Sequence, residues 1–167
     1  MKVEQHVEAT PATVWAIITD LDRYADVADI VALERLDDGA GFGVGTKWRE
    51  TRRMFGREAT EDMWVTEIDA GRKYVVEAES HGAHYRSVLE VSPEANGSRL
   101  SMQFDGVGTN VVTKVLGNTV GRLFEGPNRK AMQADLAGIA AAAEADGAAA
   151  ADVADVADVA ADHPDQS

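Results

Sequence analysis

The chain has 167 residues with 45% hydrophobic content, enough for one domain with a substantial core, and no cysteine, which excludes disulfide frameworks, thiolate metal sites and cysteine nucleophiles. Its 29 acidic residues against 16 basic ones give a formal charge of −13, which argues against nucleic acid and anionic membrane surfaces as partners. No signal peptide or transmembrane segment is recognisable, so the sequence predicts a cytoplasmic protein without integral membrane association.

The N-terminal third has the patterns of short strands and helices. Lys2 to Ala9 alternates apolar and polar residues, which predicts a half-buried strand. Thr10-Pro11 offers an N-cap followed by proline at the first helical position, so a short helix is expected next. A second short helix is predicted over Asp20 to Ile30, with Tyr24 facing inward, and a second strand over Val31 to Leu36.

A hairpin turn is predicted at Phe55-Gly56-Arg57-Glu58, with glycine at the first central position. Phe55 would then face Glu58, and Arg52 would lie directly opposite Glu61. The more apolar face of this strand pair is expected to point inward. It consists of Trp48, Glu50, Arg52, Met54, Ala59, Glu61, Met63 and Val65.

A second tight turn is predicted at His81-Gly82, which pairs Ser80 with Ala83. In this register opposite charges meet on one face of the hairpin, and apolar side chains collect on the other. The inward set is Tyr74, Val76, Ala78, Tyr85, Ser87 and Leu89, and the last strand adds Leu100, Met102 and Phe104.

The segment from Thr109 to Glu144 is predicted to form a long amphipathic helix that packs against the concave face of an antiparallel sheet. Leu116 and Val120 belong to its apolar stripe. Gly126-Pro127 predicts a kink or break. From residue 145 the chain is a low-complexity sequence of alanine, aspartate and valine, which predicts a disordered tail or a frayed helix. We therefore expect a domain over residues 1–144 and an acidic tail over 145–167.

The acidic composition extends beyond the tail, and only five of the basic residues are lysine. This balance resembles that of proteins from halophiles, whose concentrated salt screens repulsion between like charges. An ordinary acidic bacterial protein is the alternative interpretation.

Four short motifs accompany this order of elements: Thr10 to Trp15 with Thr19-Asp20, Gly43 to Trp48, Val65 to Gly71, and Asp135-Leu136. Together, the order and the motifs resemble the helix-grip fold of the START-like superfamily, also called SRPBCC or Bet v 1-like. More narrowly, the sequence is similar to the polyketide cyclase/dehydrase and lipid-transport group. The resemblance implies an α+β fold in which about seven strands curve around the C-terminal helix, with two short helices after strand one and an apolar cavity between sheet and helix.

The inward residues are candidates for binding a ligand, although the same residues could form a filled core. Arg52 could hold a ligand carboxylate or enolate, with Glu50 as general base, or the charged residues could form a structural ion pair. Tyr74, Tyr85 and Ser87 could orient a ligand carbonyl. The complete candidate set is Trp48, Glu50, Arg52, Met54, Glu61, Met63, Tyr74, Val76, Tyr85, Ser87, Leu89, Met102, Phe104, Leu116 and Val120.

Three functions remain open from the sequence. The first is a protein that binds or carries a small hydrophobic molecule such as a lipid, polyketide or quinone. The second is an enzyme of the cyclase or dehydratase kind that uses Glu50, Arg52 and Tyr85. The third is an interaction module that acts on a protein or membrane partner. The histidines have no metal-site spacing, and no nucleotide or phosphate motif occurs, so neither a metal nor a cofactor is expected.

Overall fold

The computed structural model describes residues 1–39, 41–54, 56–80, 82–108 and 111–161, with side chains described for all of these apart from 54, 108, 111–125 and 152–161. In this part of the chain the elements, in order, are β1 (Lys2–Val7), α1 (Pro11–Ile18), α2 (Leu21–Val27), β2 (Ala32–Arg35), β3 (Lys47–Met54), β4 (Arg57–Asp69), β5 (Lys73–Ser80), β6 (Ala83–Glu94), β7 (Gly97–Gly108) and α3 (Val111–Ala161).

The seven strands of the described residues form one curved antiparallel sheet in the order β1-β7-β6-β5-β4-β3-β2. Helix α3 packs on β1 and β7, and it also contacts the short helices α1 and α2. A sheet can bury its apolar face only against another element, and here the helices provide that element. The predicted helix-grip fold is confirmed.

The starts of both short helices follow from their capping residues. The Thr10 hydroxyl accepts a hydrogen bond from the Thr13 backbone N–H at 3.2 Å, and Pro11 occupies the first turn. The Asp20 carboxylate accepts hydrogen bonds from the first backbone N–H groups of α2. These side chains satisfy amide groups that have no partner within the helix, and the capping predicted at Thr10 is confirmed.

The β5–β6 register agrees with the prediction, because Ser80 pairs with Ala83 and the later pairs follow from it. The β3–β4 register does not agree: Met54 pairs with Arg57, so the strands are shifted by two residues from the predicted alignment. Gly56, with φ of +75°, occupies the last position of the connection rather than the first. Since the shift is two residues, every side chain keeps its predicted face.

Helix α3 continues through Pro127 without interruption. The predicted break is therefore wrong. The helix also extends beyond the predicted end, Glu144, as far as Ala161. The apolar stripe of its second half is buried as expected: Met132, Leu136 and Ile139 are 7%, 1% and 0% exposed. The stripe predicted for the first half, including Leu116 and Val120, falls on side chains outside the described set.

A glycine brings α3 into close contact with the end of α2. A Cβ atom added at Gly138 would lie 1.9 Å from the backbone oxygen of Val27. One turn earlier, the Asp135 carboxylate accepts a hydrogen bond from the Asp29 backbone N–H at 3.1 Å. The C-terminal end of α2 and the residues after it are therefore fixed on the surface of α3.

Candidate functional site

The inward face of the sheet has a buried region and a partly exposed region. Trp48, Val76, Leu89 and Met102 are between 3% and 6% exposed and belong to the core. Closer to the β3–β4 and β5–β6 connections, other inward side chains keep partial exposure. We call this second group the half-exposed patch. It consists of Glu61, Met63, Tyr85, Ser87 and Phe104.

A buried polar network lies beside this patch. Arg52 donates hydrogen bonds to one oxygen of Glu50, to the Asp135 carboxylate at 2.8 and 3.1 Å, and to the Tyr24 hydroxyl at 3.3 Å. The second oxygen of Glu50 accepts from Trp48 Nε1 at 3.0 Å. We call these five residues, from β3, α2 and α3, the inner polar network.

The register correction changes the partners within this network. Arg52 lies across from Ala59, and it is Glu50 that lies across from Glu61. The predicted contact between Arg52 and Glu61 is therefore wrong, because the turn is displaced. Arg52 is instead neutralised by Glu50 and by Asp135 of α3.

Burial determines the electrostatics of the network. Glu50 and Asp135 are 7% and 3% exposed. Burial raises the pKa of Asp135, and the nearby Glu50 adds to this shift, although Arg52 and the Asp29 N–H oppose it. Burial also raises the pKa of Tyr24 well above its ordinary value. The pKa of Arg52 rises despite its burial, because Tyr24, Glu50 and Asp135 surround it. Arg52 therefore stays charged.

The chemical roles predicted for Arg52 and Glu50 conflict with this geometry. All three nitrogens of the Arg52 guanidinium donate to protein groups, and each oxygen of Glu50 accepts from a neighbour. A residue that binds substrate or transfers a proton must be able to reach the substrate, and these contacts direct both side chains at each other and at α2 and α3. The arrangement fits the alternative interpretation, a structural ion pair.

Tyr74 likewise has a structural contact. Its hydroxyl donates to the Ile18 carbonyl at 3.0 Å, and its ring, 3% exposed, meets the rings of Trp15 and Phe42 edge-on. Burial raises its pKa well above the ordinary value. Tyr74 therefore holds α1 against the sheet, and its hydroxyl is not available to orient a ligand.

The half-exposed patch contains a stacked aromatic pair. The rings of Tyr85 and Phe104 lie 5.6 Å apart with an interplanar angle of 22°. The Tyr85 ring also lies over Gly106, where an added Cβ would come within 3.1 Å of it. Glycine at this position of β7 lets the ring lie flat on the sheet. The two rings form an apolar surface beside the small side chain of Ser87.

Glu61 is the charged member of this patch. It lies two residues from Met63 on β4, and the cross-strand partner of Met63, Ala78, also pairs with Tyr85. Burial, and then the charge of Glu61, raise the pKa of Tyr85. Among the described residues, Glu61 has no hydrogen bond or ion pair. The hydroxyls of Tyr85 and Ser87 also make no hydrogen bond within that set. Three polar groups in a partly enclosed apolar environment are thus available to a ligand.

Sequence reasoning missed Tyr24 and Asp135 as members of the network. Asp135 carried a signal, because it lies within the buried stripe formed by Met132, Leu136 and Ile139, and a charge in such a stripe needs a partner. Tyr24 was predicted only as a core residue. Among the predicted site residues, the side chains of Met54, Leu116 and Val120 fall outside the described set.

A separate pocket of about 300 Å³ lies between the α1–α2 junction and the segment after β2. Arg35 is held there by Asp37 and by the Gly41 carbonyl, and the hydrogen bond from Arg35 lowers the pKa of Asp37 to about 2. This cation is neutralised by protein groups. The lining residues are Thr19, Asp20, Leu21, Asp22, Arg35, Gly41 and Phe42.

The histidine and acidic side chains do not gather into a metal centre. Over the residues with described coordinates, no group of three or more histidine, aspartate or glutamate side chains is arranged to hold a metal ion. In the same part of the chain, no helix combines the length and hydropathy required to span a bilayer.

Solved structures with this fold are numerous, and their sequences are distant. A protein from Thermus thermophilus superposes with a TM-score of 0.67 at 18% identity, covering 87% of this chain and 97% of that one. A Chromobacterium violaceum protein gives 0.62 at 16% identity, covering 86% and 96%. At these identities the likeness concerns the fold.

The di-domain ARO/CYC StfQ from the steffimycin biosynthetic pathway gives a TM-score of 0.71 at 11% identity, covering 86% of this chain and 50% of that one. No curated protein matches by sequence. The family described as polyketide cyclase/dehydrase and lipid transport matches residues 1–144. The chain therefore belongs to the polyketide cyclase/dehydrase and lipid transport family, within the SRPBCC fold.

Proposed function

We propose that this protein binds a small hydrophobic molecule between the inward face of the sheet and α3. The family and the fold suggest ligand binding or cyclase activity. The observation that carries the proposal is the half-exposed patch, where stacked rings, a methionine and free polar groups occupy the inward face beside a well-packed core. Ligand sites combine these same features, an apolar surface with a few polar groups.

Binding is favoured over cyclisation by the engagement of Glu50 and Arg52. Arg52 donates to Glu50 and Asp135, and each oxygen of Glu50 already accepts a hydrogen bond from a protein group, so an acid–base role would have to compete with these contacts. Of the three residues considered for catalysis, Glu50, Arg52 and Tyr85, only Tyr85 makes no side-chain hydrogen bond among the described residues. An isolated tyrosine with a raised pKa is suited to donating a hydrogen bond to a ligand.

The proposal is tested by filling the patch. Ser87→Phe places a ring on the inward face next to Phe104, whereas Ser92→Phe places the same ring at an outward position of β6. Binding of the neutral fluorophore N-phenyl-1-naphthylamine is followed by its fluorescence. We expect Ser87→Phe to weaken binding by about tenfold or more through steric exclusion, and Ser92→Phe to leave it within about twofold.

Two results would contradict the proposal. One is equal binding by Ser87→Phe, Ser92→Phe and the parent protein, which would locate the probe elsewhere. The other is the recovery of no small molecule, by native mass spectrometry in high salt, from protein incubated with lipid extracts and apolar probes. Thermal unfolding of both variants establishes that they are folded.

A further inference from the structure

The charges of the inward face indicate the kind of ligand that the patch accepts. The inner polar network has two carboxylates, Glu50 and Asp135, and one guanidinium, Arg52. Glu61 adds a third carboxylate next to Glu50, its cross-strand partner. Among the residues of the inner polar network and the half-exposed patch, the carboxylates thus outnumber the guanidinium by three to one.

The three carboxylates differ in the hydrogen-bond donors and positive charge that surround them. Glu50 accepts from Arg52 and Trp48, and Asp135 accepts from Arg52 and the Asp29 amide. Glu61 has no such partner among the residues with described side chains. A partly buried carboxylate without a partner is costly, and a cation that approaches it recovers part of that cost.

The surroundings of Glu61 are also those of a cation site. The partly exposed rings of Tyr85 and Phe104 lie in the same patch, and the π face of an aromatic ring attracts positive charge. The Tyr85 hydroxyl oxygen can accept a hydrogen bond from an ammonium group.

An anionic ligand would meet few free hydrogen-bond donors and a repelling carboxylate at the half-exposed patch. The strong donors beside the patch already have acceptors: Arg52 donates to two carboxylates, Trp48 Nε1 to Glu50, and the Tyr74 hydroxyl to Ile18. Within the half-exposed patch itself, the side-chain donors left to meet a ligand carboxylate are the hydroxyls of Tyr85 and Ser87. Glu61 would repel that carboxylate.

We propose that the molecule bound at the half-exposed patch is a hydrophobic ring compound that carries a protonated amine or another positive charge, with Glu61 as its counter-ion. This inference rests on the proposed function, since it assumes that a ligand occupies the patch. It assigns the ligand to a class that the fold does not specify, and it replaces the idea that Arg52 recognises an acid.

Three fluorescent probes with one skeleton test the charge preference directly. Diphenylhexatriene is neutral, its trimethylammonium derivative is cationic and its propionic acid derivative is anionic. Titrations in about 1 M NaCl, where the Debye length is about 3 Å, suppress the general attraction of an acidic protein for cations. We expect the cationic probe to bind about tenfold more tightly than the anionic one.

Glu61→Gln is expected to reduce the ratio of cationic-probe affinity to anionic-probe affinity at least about fivefold. The matched control is Glu79→Gln, which removes the same charge from a side chain that is 69% exposed. Glu79→Gln should keep the full preference for the cationic probe over the anionic one. Glu61→Gln should also lower the pKa of Tyr85 by removing a nearby negative charge. Absorbance titration of the phenol measures this shift and reports that the patch is intact.

The results of these titrations distinguish a failure of the proposed binding function from a failure of the proposed charge preference. If none of the three probes binds, the proposed function fails. If the probes bind and Ser87→Phe blocks them, but the anionic probe binds as well as the cationic one, the charge assignment alone is overturned. It is also overturned if Glu61→Gln and Glu79→Gln have equal effects on the preference.

Discussion

Arg52 and Arg53 are neighbours in β3, and alternation of the strand gives them opposite environments. The Arg52 side chain is 21% exposed and bridges Glu50 and Asp135, whereas Arg53 is 65% exposed and pairs with Glu58 at 3.2 Å. A surface ion pair contributes little to stability because water and salt screen it. Removal of the cation from a buried network leaves carboxylates without compensation.

The two arginines therefore provide a matched test. We expect Arg52→Met to lower the free energy of unfolding by about 3–5 kcal/mol, since two buried carboxylates lose their partner. Arg53→Met should change it by less than about 0.5 kcal/mol. Urea unfolding followed by circular dichroism measures both. Similar losses for the two variants would show that the inner polar network is not a stabilising unit.

At the scale of single residues, the sequence predicted which face of the sheet each side chain occupies. It did not predict which residues these side chains contact. Period-two alternation places Trp48, Glu50 and Arg52 inward whatever the turn geometry, because a shift of two residues preserves the face. The partner of Arg52 depends on α3, and the sequence contains no signal that joins residue 52 to residue 135. Asp135 was detectable only as a charge within an apolar stripe.

The packing of α3 on α2 depends on one missing side chain. Gly138 allows the Val27 carbonyl to approach the helix, and an added Cβ would lie 1.9 Å from that oxygen. Gly147 lies in the same helix, and an added Cβ there would lie 3.7 Å from the Ala9 Cβ, at an ordinary van der Waals distance. The two glycines thus have the same helical setting and different surroundings.

Alanine substitutions should separate these effects. We expect Gly138→Ala to destabilise the protein by about 2–3 kcal/mol, because backbone must move to relieve the clash. Gly147→Ala should be neutral or stabilising by up to about 1 kcal/mol, since alanine has the higher helix propensity. Denaturant unfolding gives both values. A stabilising Gly138→Ala would contradict the close approach of the two helices.

Local sequence patterns predicted the helices and strands, but they predicted the ends of these elements less accurately. The cap at Thr10 and the turn after Ser80 have short-range chemical causes, so they could be identified, whereas the cap at Asp20 was not predicted. The β3–β4 connection could be closed in two ways that differ by two residues. Alanine-rich sequence also favours helix, and α3 continues past Glu144. Asp146 pairs there with Arg23 at 3.0 Å.

At the scale of the whole molecule, the excess of negative charge has the broadest effect. The net charge of −13 on 167 residues implies strong repulsion within the compact state. Added salt shortens the Debye length from about 10 Å at 0.1 M to about 3 Å at 1 M. The composition predicts adaptation to concentrated salt, and stability is the property that tests this prediction.

We expect the midpoint of thermal unfolding to rise by about 3 °C or more between 0.1 and 1 M NaCl, as screening reduces repulsion in the folded state. Calorimetry at both concentrations measures the change. Sodium chloride is preferred to sulfate, which stabilises proteins generally by exclusion from their surfaces. A midpoint that is constant or falls would argue for an ordinary acidic protein.

The pairing of β1 with β7 has a consequence for biosynthesis. The first residue donates its amino group to the Phe104 carbonyl at 2.8 Å across a separation of 103 residues, and Lys2 lies opposite Gln103. At translation rates of about 5–20 residues per second, β1 leaves the ribosome about 5–20 s before its partner strand is made. During that interval β1 has no neighbouring strand, and its alternating charges oppose self-association. The sheet is therefore completed only after β7 has emerged.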